Sequence, residues 1–324
     1  MGHEAQQKMM VSDVLIVGLS GLGVEVAKNV ILAGVKSVTL YDPEPVTAFD
    51  LGANFYLSEE DIGLPRAARC VARLAELNQY VPVKVTDSLS PEGMSCCCVT
   101  VPLSVEDSVS LNQKCRTSNC AFIKAQVAGV FAQVFCDFGK EFIVSDKDGE
   151  NPSLSQVEAI TVSNPGIVKV LEDHGRHGLE TGDTVKFSRV QGMPELNETE
   201  HVVKVTGPFT FEIGDCSGFA QAATQGYINQ IKKPTRLEFR PLSEALEEPG
   251  EMMISDFAKF ERPALLHAAF RGLASHLDSS SGSFVTPGDA AAAEKVVEAS
   301  KPYYGGDLTE DQVSRLAVHF HKLL

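Results

Sequence analysis

Gly18-Leu19-Ser20-Gly21-Leu22-Gly23 joins a short apolar run, Asp13-Val14-Leu15-Ile16-Val17, to an apolar stripe at helical spacing from Val24 to Ala33. The run is rich in β-branched residues and reads as a buried parallel strand. The stripe reads as a helix stopped by Gly34. A second strand, Ser37-Val38-Thr39-Leu40-Tyr41, ends at Asp42, where a βαβ nucleotide fold places the acid that meets a ribose. The loop departs from the dinucleotide pattern G-x-G-x-x-G at one position. Its middle glycine lets a pyrophosphate approach the backbone, and here that position is Ser20. Gly21 and Gly23 are also explained by close helix–strand packing, which needs no ligand. Asp42, followed by Pro43 and Pro45, also reads as a strand-end and turn residue. The scaffold is intact and the phosphate seat is altered.

Working outward, residues 11–140 alternate between strand and helix patterns, the mark of an α/β fold with a mostly parallel, Rossmann-type sheet. Arg66 to Leu77 predicts a helix, Val81 to Val85 a strand, the Cys96-Cys97-Cys98 run another strand, and Glu106 to Lys114 a helix. Ala121 to Ala125 and Phe131 to Asp137 read as strands separated by a turn at Gly129, with right-handed crossovers gathering the strands into one sheet. Ser145 to Ser153 is a polar turn cluster. From Ala159 to Leu237 short alternating strands recur with turn signals and no helix, which predicts a small inserted β-barrel. Beyond Pro241 the pattern is helical: Ser243 to Leu246, Arg262 to Leu277, Gly288 to Ala299 and Thr309 to Leu324. Thr309 and Gln312 form a capping box, and Ser279 to Ser283 is a flexible polar joint. The last helix carries its stripe at Val313, Leu316, Val318, Phe320 and Leu323 up to the final residue, which reads as a piece of a longer chain.

The chain has 324 residues, enough for about two domains with their own cores, and a formal charge of -15. That charge argues against a general nucleic-acid binder. No apolar run reaches the length of a membrane span, and the N-terminus lacks a signal-peptide core. The eight cysteines lack zinc-finger spacing, so they read as buried, reduced and structural, with no metal bound. Cys115 and Cys120 read as the end of a helix and the opening of the next strand.

The order of several segments resembles the N-terminal part of the eukaryotic ubiquitin-activating enzyme family. They are Gly2-His3-Glu4-Ala5, Val14 to Asp42, Phe55 to Gly63, Leu74 to Val83, Phe135-Cys136-Asp137-Phe138-Gly139, Arg176 to Asp183 and Ser255 to Pro263. The resemblance runs from Met1 to Leu324. It implies a ThiF/MoeB-like fold with residues 1–160 as the first part of an inactive adenylation domain. It further implies that 161–240 form the first catalytic-cysteine half-domain, a small barrel, and that 241–324 begin a four-helix bundle. In that family the full-length enzyme uses ATP and Mg to adenylate the C-terminus of ubiquitin, then transfers it to a catalytic cysteine as a thioester. The active adenylation domain and the catalytic cysteine come later in such chains. No catalytic residue and no bound cofactor are therefore expected in these residues. The implied partners are ubiquitin, the rest of its own chain and, through further domains, ubiquitin-conjugating enzymes, in a cytoplasmic and nuclear setting without nucleic acid or membrane.

The resemblance also bears on the loop. The active repeat of the family carries Asn-Leu-Asn-Arg-Gln-Phe, with its arginine on the ATP phosphates; here the stretch is Asp50-Leu51-Gly52-Ala53-Asn54-Phe55. Ala53 cannot stabilise phosphate charge, and Arg66 stands where the active repeat has lysine. The family also lends an arginine to catalysis from a short helix before the Gly-His-Glu-Ala motif, which this chain does not carry. Gly18, Ser20, Gly21, Gly23 and Asp42 thus form a degenerate nucleotide loop. On the barrel, the family half-domain lies over bound ubiquitin. Strand alternation puts Val185, Phe187 and Val190 inward and leaves Lys186, Ser188, Arg189 and Gln191 for that contact. Two other readings remain: an NAD-dependent oxidoreductase using the Gly18 loop and Asp42, and the inactive partner subunit of a SUMO-type activating enzyme. Ser20 and the absence of a substrate domain weigh against the first, and the barrel and bundle against the second. Tyr303-Tyr304 and His319-Phe320-His321 are the bases an oxidoreductase has available, and packing or solvated positions suit them better.

Overall fold

A computed structural model of the chain describes residues 3–128, 131–252, 254, 257–279, 289–303, 309 and 311–312. Two compact units emerge, residues 1–142 with 238–324 and residues 143–237.

The first unit is built on six strands: β1 (Asp13–Val17), β2 (Ser37–Tyr41), β3 (Val83–Val85), β4 (Cys96–Val99), β5 (Ala121–Ala128) and β6 (Phe131–Asp137). Their order is β3-β2-β1-β4-β5-β6. Strands β1 to β5 are parallel. The last strand is antiparallel to β5, pairing Phe122 with Asp137 through to Ala128 with Phe131. The expectation of crossovers throughout is corrected there: too few residues separate β5 from β6 for a parallel return. The turn expected at Gly129 falls outside the described residues.

Helices α1 (His3–Met10), α2 (Gly21–Ala33), α3 (Arg66–Ala75) and α4 (Val105–Thr117) complete the alternation. Val14 and Ile16 face a core shared with Val24, Ile31, Cys70 and Leu74 from α2 and α3. Leu15 and Val17 face the opposite core, with Cys97, Leu111, Cys115 and Phe122. Burial on both faces is why the strands read as continuous apolar runs. Helix α2 ends at Gly34, whose φ of 83° is the left-handed cap the sequence signals.

The helical part comprises α5 (Leu242–Glu247), α6 (Arg262–Ser279) and α7 (Ala290–Ser300). Gly272 is required where α6 meets α7, since a Cβ there would lie 2.0 Å from Ser300 Oγ. Asp137 ties the chain's return to the sheet: it accepts from Arg116 and Asn112, while Arg116 also donates to the Phe239 carbonyl and Asn112 accepts from Leu242 N. The Thr309–Gln312 capping box is present, with the Thr309 amide 2.9 Å from Gln312 Oε1. The stripe at Val313 to Leu323, Tyr304, His319 to His321 and most of the Ser279–Ser283 joint lie outside the described residues.

The second unit is antiparallel. It comprises β7 (Phe142–Val144), β8 (Leu154–Ile160), β9 (Gly166–Val170), β10 (Thr184–Gln191), β11 (Glu200–Val202), β12 (Lys204–Gly207), β13 (Thr210–Ile213), β14 (Gln225–Ile231) and β15 (Thr235–Leu237). Seven strands follow the order β11-β10-β14-β8-β9-β13-β12, and β7 pairs with β15. The two ends of that order, β11 and β12, are consecutive in the chain with only Val203 between them, so the sheet curls into a near-closed barrel. Val168, Val185, Phe187, Phe211 and Ile228 fill it. Strand β8 was not expected from the sequence as far as Ala159, because its start follows the polar turn cluster directly.

Candidate functional site

Each glycine of the Gly18 loop answers to a neighbour. Gly18 has φ 91°, and a Cβ on it would sit 2.1 Å from Val101 Cγ1. On Gly23 a Cβ would lie 1.9 Å from the Gly18 carbonyl oxygen, and on Gly21 it would lie 2.7 Å from the Ala53 methyl. The loop is therefore glycine-rich because backbone, strand and the Ala53 turn converge on it. Ser20 is the N-cap of α2. Its carbonyl accepts from Val24 N at 3.0 Å and its hydroxyl makes no capping bond.

Asp42 is drawn into this packing. Its Oδ2 accepts from Leu19 N at 2.7 Å and from Arg66 Nη1 at 2.6 Å, and its Oδ1 accepts from Glu44 N at 3.1 Å. Arg66, at the first turn of α3, reaches on to Asp50, with Nε 3.2 Å from Oδ1 and Nη2 3.3 Å from Oδ2. Asp50 is itself held by the Thr47 amide and hydroxyl, both at 2.8 Å. The side chains are 10% (Arg66), 1% (Asp42) and 7% (Asp50) exposed. Burial pulls the guanidinium's pKa down, and Asp42 and Asp50 more than offset it, so its pKa lies above the ordinary arginine value. Asn54 completes the wall, donating to the Leu19 carbonyl at 2.8 Å.

Gly18, Ser20, Gly21, Gly23 and Asp42 are thus brought together as the sequence places them. Sequence reasoning missed Asp50 and Asn54, which it treated only as letters of a family motif. The signal for Asp50 was the turn Thr47-Ala48-Phe49-Asp50, where a hydroxyl and a carboxylate three residues apart bond each other.

The barrel segment is arranged differently. Val185, Phe187 and Val190 are buried, Ser188 is half-buried, and Arg189 and Gln191 are exposed. Lys186 is 2.6 Å from Glu198 Oε2 across the turn. A bulge interrupts the β10–β14 register between Ser188 and Gln191, and Arg189 takes φ 54° within it. Asn197 fixes the bulge, accepting from Val190 N at 2.7 Å and donating to Val190 O at 3.3 Å. An arginine in left-handed backbone is unusual, and this one projects to solvent.

All eight thiols are free. Burial pushes Cys96 up to about 12 and Cys98 up to about 11, far from the range of reactive thiolates. Among the described residues no three His, Cys, Asp or Glu side chains converge as a metal site, and no helix is long and apolar enough to cross a membrane.

Comparison with known proteins matches three successive stretches of the chain. A ThiF family model matches residues 1–164. Models of the ubiquitin-activating enzyme E1 FCCH domain and of the ubiquitin-activating enzyme E1 four-helix bundle match 163–232 and 233–303. The chain is 46% identical over 298 residues to ubiquitin-activating enzyme E1 1 of Schizosaccharomyces pombe, covering 91% of this chain and 29% of that protein. It is 46% identical over 277 residues to ubiquitin-like modifier-activating enzyme 1 of Homo sapiens, covering 84% and 26%. With ubiquitin-activating enzyme E1 2 of Arabidopsis thaliana the identity is 44% over 304 residues, covering 92% and 28%. The chain spans less than a third of the length of these relatives.

Proposed function

The chain belongs to the ThiF family, and on that premise we propose that it is the non-catalytic N-terminal scaffold of a ubiquitin-activating enzyme. In this reading 1–160 are the first part of an inactive adenylation domain, 161–240 the first catalytic-cysteine half-domain, and 241–324 the start of the four-helix bundle. The whole enzyme would adenylate the C-terminus of ubiquitin with ATP and Mg and pass it to a catalytic cysteine. These residues would support that chemistry without performing it. They would act beside the active adenylation domain of the same chain in the cytoplasm and nucleus, with ubiquitin-conjugating enzymes engaged through other domains.

The Asp42–Arg66–Asp50 cluster carries the reading. A nucleotide does not fit the residues present. The Asp42 side chain is 1% exposed and already accepts from Leu19 N, Arg66 and Glu44 N, so a ribose would meet a carboxylate covered and held by its own chain. Ala53 closes on Gly21 and supplies no charge for a phosphate. Calorimetry with ATP-Mg, and pyrophosphate exchange with ubiquitin, test this: neither binding nor exchange is expected. Micromolar affinity or measurable exchange would sink the reading.

Ubiquitin contact is assigned to Lys186, Ser188, Arg189 and Gln191 on the barrel. Their outward positions and the bulge that presents Arg189 support it. One small patch falls short of the ~800 Å² per partner of a stable interface, so the affinity of these residues alone should be weaker than roughly 100 µM. NMR titration with ubiquitin should shift the Lys186 and Arg189 amides. Shifts confined to the first unit would move the contact elsewhere.

A further inference from the structure

In the segment from Pro43 to Pro65 the ordinary partition of side chains is inverted. Phe49 is 89% exposed and Phe55 87%, while Asp50, Asn54 and Asp61 are 6%, 1% and 2% exposed. Scattered apolar side chains in solvent are commonplace, but two nearly bare phenylalanines beside buried polar groups are not. The backbone holds them there. Asn54 N donates to the Asp50 carbonyl at 2.8 Å, closing a turn with Phe49 and Phe55 at its two ends. Asp50 is fixed by Thr47 and Arg66, and the Asn54 amide donates to the Leu19 carbonyl. Tyr56 and Leu57 pack on the core of α2 and α3, which leaves Phe55 outside. The same stretch folds back on Val46, whose amide donates to the Leu64 carbonyl and whose carbonyl accepts from Gly63 N, both at 2.9 Å. Ile62 and Leu64, 46% and 42% exposed, extend the apolar surface. Its charge is of one sign. Glu44, Glu59 and Glu60 are exposed, and no lysine or arginine occurs between Pro43 and Pro65. The cations that follow are taken, Arg66 by Asp42 and Asp50, and Arg69 and Arg73 by Asp61.

We propose that this segment docks a basic protein surface, an apolar patch that covers Phe49 and Phe55 and is ringed by lysine or arginine meeting Glu44, Glu59 and Glu60. Exposed apolar patches mark interaction sites, and aromatic side chains are the commonest anchors in them. A segment already fixed by buried bonds loses little freedom on binding. Charge selects the occupant. A second copy would oppose these glutamates with the same glutamates across a two-fold axis, whereas a basic partner neutralises them. This surface belongs to the first unit, and the residues assigned to ubiquitin belong to the second.

An amphipathic helical peptide of lysine and leucine, fluorescently labelled and titrated with the whole chain, tests this beside two controls. One control carries glutamate for lysine and the other serine for leucine. Only the lysine–leucine peptide should bind, with an affinity that falls severalfold as salt rises from about 50 to about 300 mM. Phe49→Ser combined with Phe55→Ser should weaken it about tenfold, and Glu59→Lys combined with Glu60→Lys to a similar extent. Tyr80→Ser, at an aromatic 95% exposed outside the segment, should leave the affinity unchanged. Both phenylalanines project to solvent, so their double variant should unfold in denaturant like the parent. Equal binding of the lysine–serine peptide would reduce the site to net charge, and undiminished binding by the double phenylalanine variant would remove the surface. Earlier unfolding of that variant would return the side chains to the core, and self-association that it abolishes would give the surface to a second copy. Any of these four results overturns the proposal.

Discussion

The Gly18 loop and the β10 bulge both place polar side chains beside a buried core, and they use them in opposite ways. At the loop Asp42, Asp50, Arg66 and Asn54 turn inward: Arg66 bridges the two carboxylates, and Asp42 and Asn54 bond the Leu19 backbone. Along β10, alternation seals Val185 and Phe187 inside, and the bulge turns Val190 inward and leaves Arg189 and Gln191 in solvent. Polar groups consumed by the fold are unavailable to a ligand, whereas groups held out by a rigid backbone are available to a partner. Under the proposed function, the site that most resembles a nucleotide pocket is the structural one.

Breaking the loop cluster should have the largest effect. Arg66→Ala leaves two carboxylates buried without their cation, a change that costs about 3–5 kcal/mol where a buried pair loses one member. Denaturant unfolding should register it as a loss of stability in the first unit. A variant that unfolds like the parent would mean that the cluster is solvated and that a ligand has room there.

At the bulge the fold depends on a neutral amide. Asn197→Ala strands the Val190 N–H and C=O, and each buried unsatisfied group costs about 1–3 kcal/mol. Counting the short N–H bond at 2.7 Å in full and the long one at 3.3 Å as negligible, the second unit should lose about 1–3 kcal/mol, and amide exchange at Val190 should accelerate. Unchanged exchange would show that the bulge holds itself.

Arg189→Gly sharpens the contrast by separating stability from binding. Glycine relieves left-handed strain of about 1–2 kcal/mol and gives part of it back as chain entropy. Stability should rise by at most about 1 kcal/mol while ubiquitin shifts in the NMR titration weaken. A loss of stability would place Arg189 in the fold and not on a docking surface.

The smallest expected effect is an acid limb confined to the first unit. Arg69, with help from the Ser58 amide and hydroxyl, holds Asp61 down to about 2 from 3.8. A folded value below the unfolded one means that this contribution is complete above about 4 and is lost as pH falls towards 2. Asp61→Asn should remove this contribution at neutral pH and so flatten the stability profile of the first unit between about 4 and 2. An unchanged acid limb would assign it to other carboxylates.

Much of the fold was legible in local sequence. The β1–loop–α2 unit, the Gly34 cap, the cysteine strand and helices α5 to α7 each follow from periodicity and end signals within about a dozen residues. Alternation accounts for Val185 to Ser188 along β10, and the bulge between Ser188 and Gln191 reverses it so that Val190 is buried and Arg189 exposed. The site was less legible. Asp42 and Arg66 stand 24 residues apart and Arg66 and Asp50 stand 16 apart, and nothing in either neighbourhood says that a guanidinium will close over an aspartate.

Sequence by itself thus determined the alternation of elements, the change from sheet to barrel to helices, and the chemical departures at Ser20 and Ala53. Tertiary structure decided that β8 joins the barrel and that Asp42 is bound by its own chain. Periodicity and capping arise from the geometry of a few consecutive residues. Strand partners and buried ion pairs depend instead on which distant surfaces meet when the core closes, where the cost of leaving a charge unpaired selects the pairing.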